Sequence, residues 1–520
     1  MGAGMRLLWI GRLGRSGLTL LATAWLLLAC AGGAAVRTAS RDSASAALWI
    51  DRVSYGVNSA TWADYERLGP QGYLRAQLHA TPAPLPAAAA AQIAQLQPGD
   101  TDPARLLIDI NAENKRIAAM PEGPDKEQAR KQLSEQGDRL AYQAARRHLL
   151  RAIYSPAQLR EQMVWFWLNH FSVYQYKANV RWLVGDYEEQ AIRPHALGHF
   201  RDLVLATLTH PAMLQYLDNA QNSVGHLNEN YARELMELHV LGVDGGYTQQ
   251  DVQALARILT GAGIVTTAAP PQLKTEWQPL YRRVGAFEFN PARHDFTPKM
   301  LLGRRIDARG FAEIEQAVDI LVKQPACARF ISKRLAQYFV ADDPPPQLVE
   351  RMAQTFQHSD GDITQVLQTL FDSGEFRASL GHKFRDPMHF VVAALRLAYD
   401  DRVLVNAHPV VSWLGALGEP LYGRQTPDGY ALTEAAWASS GQMSRRFEIG
   451  RTLSAGPAGL FEPEDGTHAS DGGFPQLAGK LYYAAIEPRL SVTTRMALQR
   501  AASQTEWNTF LLASPEFNYH

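Results

Sequence analysis

Ser155-Pro156-Ala157-Gln158-Leu159-Arg160-Glu161-Gln162-Met163-Val164-Trp165-Phe166-Trp167-Leu168-Asn169-His170-Phe171 opens with a helix-start signal and continues with helical spacing. Ser155 suits an N-cap, and Pro156 suits the first helical position, where its missing N–H costs nothing. Leu159, Met163, Phe166, Trp167 and His170 then share one face by the i, i+3, i+4 rule. The spacing predicts a helix that sets His170 at the end of an aromatic wall. Outward from this stretch, His210-Pro211 and Gln324-Pro325 place proline in the same way. Thr248 with Asp251 fits a capping box, stapled by Tyr247 and Val252. Residues 126–153 are charged, with helical spacing and few breakers, and another helix is expected from near Ser59. Clear β alternation is scarce, and only 280–289 and 300–306 read as short strands. No internal repeat is evident. The expectation is a mainly α protein, a large multi-helix globular domain with at most a small β-hairpin or sheet.

The N-terminus reads as a targeting segment. Arg6, Arg12 and Arg15 precede an apolar run at 18–28 that is too short to span a bilayer with flanks of its own. The run ends in Leu27-Leu28-Ala29-Cys30, which suits lipoprotein processing: residues 1–29 removed and Cys30 lipidated. Cleavage within 29–35 to give an ordinary secreted or periplasmic form, and a retained anchor, are the alternatives. Ala31 instead of an acidic residue after Cys30 points to the outer membrane. Residues 30–46 then form a flexible tether. Residues 47–520 form one large helical domain, with an Ala/Pro-rich excursion at 81–105 and a Gly-rich loop at 454–473.

The chain has only two cysteines and a net charge of −1. Lipidation of Cys30 leaves Cys327 as a lone thiol at an apolar helical start, a small packing residue. No basic stripe points to nucleic acid as a partner, and no later apolar run has membrane length, so membrane contact is expected only through the N-terminal anchor. Gly-x-Ser-x-Gly, a phosphate loop, Cys-x-x-Cys-His and a dinucleotide fingerprint are absent, which argues against serine hydrolases, nucleotide enzymes and c-type haem proteins.

Five stretches carry polar chemistry. His170 is either a core histidine bonded to a carbonyl or a proton carrier oriented by Asn169. In Ile192-Arg193-Pro194-His195-Ala196-Leu197-Gly198-His199, the two histidines would share a helix face, but the residue after His195 is alanine where a metalloprotease would carry glutamate. Arg193 could clamp a carboxylate or phosphate, or form a structural salt bridge. The densest run is Tyr216-Leu217-Asp218-Asn219 and then Leu227-Asn228-Glu229-Asn230-Tyr231-Ala232-Arg233-Glu234-Leu235-Met236-Glu237-Leu238-His239. A helix from Asn228 would put Leu227, Tyr231, Leu235 and Leu238 on an apolar stripe and Asn230, Glu234 and Glu237 on a polar face. Two carboxylates at that spacing can bind a divalent metal or share a proton, or belong to a structural network. Gly242-Val243-Asp244-Gly245-Gly246 reads as a turn. His294-Asp295 is a loop pair that could approach the carboxylates. The candidate assignment is Glu234, Glu237 and His170 as catalytic groups, with Arg193, Asn230, Asp218 and Asn219 binding substrate. Glu234, Glu237 and His294 are the candidates for holding a divalent metal as cofactor.

Taken in order, these stretches resemble the bacterial domain-of-unknown-function 1800 family. The resemblance begins at Asp51-Arg52-Val53-Ser54-Tyr55-Gly56 and ends at Leu512-Ala513-Ser514-Pro515-Glu516-Phe517, and it is most specific at 227–246 and at Ala256-Arg257-Ile258-Leu259-Thr260-Gly261. It implies an exported protein with no assigned reaction. It also implies neighbouring genes for secreted proteins of sulfatase and alkaline-phosphatase type, hence a candidate partner. Leu168 stands where relatives often have His, and Ala262 where Trp is usual, which weakens any metal scheme that needs a histidine at 168. The functional expectation is an exported envelope enzyme, periplasmic or at the outer membrane, with a carboxylate/histidine site acting on a polymer or conjugate. The competing expectation is a non-catalytic lipoprotein scaffold for a secreted partner. A haem protein would need an axial histidine facing a large apolar cavity.

Overall fold

The computed structural model describes residues 1, 43–79, 84–96, 102–400, 402–464 and 473–520. Residues 2–42, which hold most of the expected signal segment and Cys30, lie outside these residues. So does most of the tether, although 43–46 already belong to a helix at 43–53. The fold is mainly α, as the capped segments require. No helix among the described residues is long and apolar enough to cross a membrane.

The longest helix, Pro124–Tyr154, starts with Pro at its first turn after Gly123, with Asp125 and Glu127 against the N-terminal dipole and Arg151 in the last turn. Gly137 lets it pack closely on the next segment, since a Cβ there would lie 2.5 Å from the Arg181 side chain. Ser155 terminates this helix and does not cap its successor. Its Oγ accepts from the Ala157 amide at 3.2 Å, and the next helix, Gln158–His170, starts later than the sequence suggests and without a side-chain cap. Every residue of that helix except Arg160 is buried. It is therefore a central core helix and has no amphipathic face.

Other expected starts are present. Thr248 and Asp251 form the capping box of Gln249–Ile258, and proline opens Pro211–Tyr216 and Pro325–Phe339. Cys327 is fully buried, and burial pushes its thiol up, which suits a packing residue. The Ala/Pro-rich stretch is not a simple excursion. It contains the helix Ala87–Gln95, with Ala89 buried and Gln92 donating to the Leu404 carbonyl, and it runs into a helix at Pro103–Ala119. Residues 465–472 of the expected Gly-rich loop lie outside the described residues.

The β structure is small. Strands β1 (Ala262–Ile264), β2 (Arg282–Val284) and β3 (Phe287–Phe289) form an antiparallel sheet in the order β1-β3-β2, and β4 (Lys299–Leu301) pairs with β5 (Arg304–Ile306). Both hairpins fall where strands were expected; β1 was not foreseen.

Candidate functional site

Asn169 and His170, the last two residues of the central helix, each hold a different distant segment. Asn169 Oδ1 accepts from the Tyr430 amide at 2.5 Å and its Nδ2 donates to the Tyr430 carbonyl at 3.0 Å. Gly429 beside it has φ +73°, and a Cβ there would sit 2.1 Å from the Asn169 carbonyl oxygen, so only glycine fits. The Gln175 amide donates to Tyr422 at 3.0 Å and the Tyr216 hydroxyl to Gln425 at 2.8 Å, which fixes the rest of the 421–430 loop. His170 Nε2 donates to the His239 carbonyl at 2.8 Å. Burial first, then the charge of Arg334, keeps this ring neutral, its pKa well below the usual histidine range.

His239 lies in the segment that bears the two glutamates. This segment is not one regular helix from Asn228. It is α from Asn230 to Glu234 and then a π turn, Leu235–Val240. Asn228 precedes the helix and accepts from the Asn230 amide at 2.9 Å. The expected apolar stripe is correspondingly incomplete: Tyr231 and Leu235 are buried, but Leu227 is 43% exposed. The buried His239 ring sits against the Pro427 carbonyl, which ties the π turn to the 421–430 loop. π turns of this kind recur at functional sites.

The α–π segment 230–240 and the loop together carry Glu234, Glu237 and Asp428. Burial raises the Glu234 carboxyl, and the nearby charges of Glu237 and Asp428 raise it further against the lowering effect of Arg233. Arg233 itself is engaged elsewhere, by Glu229 at 3.1 Å and Gln249 at 2.9 Å. Asp428 is held the other way. Burial opposes its ionisation, but the Thr426 hydroxyl at 2.6 Å and Arg424 at 2.8 Å outweigh it and hold the carboxyl below its ordinary value. Burial, then the charge of Glu237, raises the Tyr247 hydroxyl. The charge of Arg334 acts on both His170 and Asp428, and its buried Nε has no hydrogen-bond partner.

The remaining expected site residues are dispersed. Asp218 pairs with Lys177 at 2.7 Å, and Lys177 also donates to the Tyr216 carbonyl, so Asp218 borders the same surface. Asn230 reaches only the Leu217 carbonyl, at 3.3 Å. Asn219 is fully buried and donates to the carbonyls of Leu259 and Ala262, pinning β1 instead of meeting a ligand. Arg193 is a structural ion pair: its guanidinium bonds Glu161 and Glu188 at 2.8 Å each and Glu189 at 3.3 Å. Both His294 ring nitrogens are taken, Nδ1 by the Thr260 carbonyl at 2.7 Å and Nε2 by Glu313 at 2.9 Å, which leaves none for Glu234 or Glu237. His195 and His199 share no helix, since His195 closes a short 3₁₀ turn and His199 bridges to Asp362. Among the described residues, no three His, Cys, Asp or Glu side chains converge so as to hold a metal ion.

Sequence reasoning missed Asp428, Arg424 and Arg334. The available signal for the first was Pro427-Asp428-Gly429-Tyr430, a turn with an obligate positive-φ glycine before an aromatic anchor. Neither a curated protein nor a solved structure matches the chain. The family model described as protein of unknown function (DUF1800) matches residues 48–519, and the chain belongs to that family.

Proposed function

We propose that the chain is an exported cell-envelope enzyme whose Glu234 and Asp428 hydrolyse a linkage in an envelope polymer or conjugate by acid–base catalysis. One observation carries this reading: two carboxyls within electrostatic reach of each other have opposite proton affinities, Glu234 raised and Asp428 lowered. A carboxyl that keeps its proton can donate to a leaving group, and one that stays ionised can activate water or attack. Arg334, whose charge interacts with that of Asp428, adds positive potential to the site. In this reading His170 and Asn169 are positioning residues, not proton carriers. Export rests on Arg6, Arg12, Arg15, the apolar run at 18–28 and Cys30, and the sulfatase- or phosphatase-like secreted protein is the candidate partner in the same pathway. Incubation of the purified protein with isolated envelope polysaccharide and peptidoglycan tests the activity. New reducing ends released by the wild type and absent with Glu234→Gln support the reading, and equal release by both rejects it.

The scaffold reading has its own support. Arg193, Asn219 and His294 all sit in closed networks that need no ligand. Recovery of function by Glu234→Gln in a deletion strain would favour it.

A further inference from the structure

A cleft of about 570 Å³ opens between the Phe200–Thr209 helix, the π turn Tyr187–Ile192 and the β2–β3 hairpin. None of the residues assigned to the carboxylate site lines it. Its volume is in the range of clefts that hold small organic molecules. Most of its wall is apolar, with Leu205 and Phe287 on facing elements.

The charges in the wall do not balance. Asp186 accepts from His210 Nε2 at 2.9 Å through Oδ2, and no described group donates to its Oδ1. His210 does not cancel that charge. Its Nδ1 already accepts from the Ala212 amide at 3.1 Å, so the ring carries one proton, on Nε2, and is uncharged. Thr209 donates its hydroxyl proton to the Leu205 carbonyl at 2.9 Å and offers the cleft only lone pairs. The one cation of the lining, Arg282, is paired with Glu315 at 3.6 Å and lies over the Phe311 ring at 4.5 Å. The lining therefore presents one uncompensated carboxylate among apolar surfaces, with acceptors beside it.

We propose that this cleft binds a small organic cation, a protonated amine with an apolar or aromatic body. The ammonium meets the free oxygen of Asp186, and the body packs on Leu205 and Phe287. A carboxylate relieved of part of its hydration pairs most favourably with a charged donor.

Phenethylamine, 2-phenylethanol and 3-phenylpropionate share a body and differ in head group, so calorimetric titration of the full chain with each separates charge from shape. The amine is expected to bind about tenfold or more tighter than the alcohol, with no measurable binding of the acid. Asp186→Asn keeps an acceptor for His210 and should abolish the preference for the amine. Ala206→Phe fills the cleft and should abolish binding altogether, with circular dichroism showing that each variant is folded. Acid binding as tight as amine binding would overturn the proposal. So would amine binding unchanged in both variants, or no amine binding to the wild type at millimolar concentration.

Discussion

The side-chain amide of Asn169 bonds both the N–H and the carbonyl of Tyr430, 261 residues away in sequence. This pairing fixes the loop that carries Asp428 to the end of the central helix. Replacing Asn169 with Leu keeps the volume but leaves a buried donor and acceptor unpaired, at about 2–4 kcal/mol for the two together. Asn169→Asp sets a buried carboxyl oxygen against the Tyr430 carbonyl and should cost at least as much. Urea denaturation checks the magnitudes. Amide hydrogen exchange should show lost protection concentrated at 421–430, whereas uniform loss across the chain would mean that Asn169 is ordinary core.

Arg193 pairs with three carboxylates, of which Glu161 and Glu188 are buried. Burial disfavours its charge, but the three partners outweigh this and raise its proton affinity. Arg193→Met should therefore cost about 3–5 kcal/mol by stranding buried charge. Adding Glu161→Gln should recover part of that loss, since contacting residues are not additive. Full stability of Arg193→Met in denaturant titration would show that the cluster is hydrated.

The family-typical helix starts were legible in the sequence because caps, prolines and apolar spacing act over a few residues. The hairpin sites were legible for the same reason. What stayed hidden depends on distant partners. The helical spacing of 126–153 runs almost up to Ser155, but nothing local shows that Ser155 ends that helix and that the next one starts only at Gln158. The π turn at 235–240 keeps the composition of an α-helix. His170 is the core histidine bonded to a carbonyl that the sequence offered beside a proton carrier, and its partner, the His239 carbonyl, belongs to another segment. Arg193 and His294 looked available for the same reason, their carboxylate partners being supplied from elsewhere in the fold or from an unrecognised turn. Asp428 carried no periodic pattern, only the turn signal of Pro427-Asp428-Gly429, and the effect of its charge on Glu234 depends on the fold.

Glu419 is 2% exposed, and its Oε2 accepts from the Met388 amide at 2.8 Å. Burial, then the charge of Asp386, raises this carboxyl well above the ordinary range, so it is protonated where most carboxyls are not. A folded-state value above the unfolded one contributes stability at low pH, and that contribution is lost as pH climbs through the raised value. Glu419→Gln has no proton to lose. The variant should match the wild type at pH 5 and exceed it increasingly toward alkaline pH in melting temperature. Parallel curves across that range would contradict the assignment.

The ionised partner in the proposed site is held by Arg424 and Thr426. Arg424→Met should raise the Asp428 proton affinity and shift the acid limb of any activity profile to higher pH. An unshifted profile would remove Asp428 from the chemistry.

Glu234→Gln tests the central claim most directly. The substitution removes a half-buried carboxyl that the charges of Glu237 and Asp428 raise, so it relieves repulsion and should shift the melting temperature at pH 7 by no more than about 2 °C, upward if at all. The measurement is that melting temperature together with function in a strain lacking the gene, on the same variant. Loss of function with unchanged or raised stability is the predicted result. A joint fall in stability and protein level, or full function, would contradict the account.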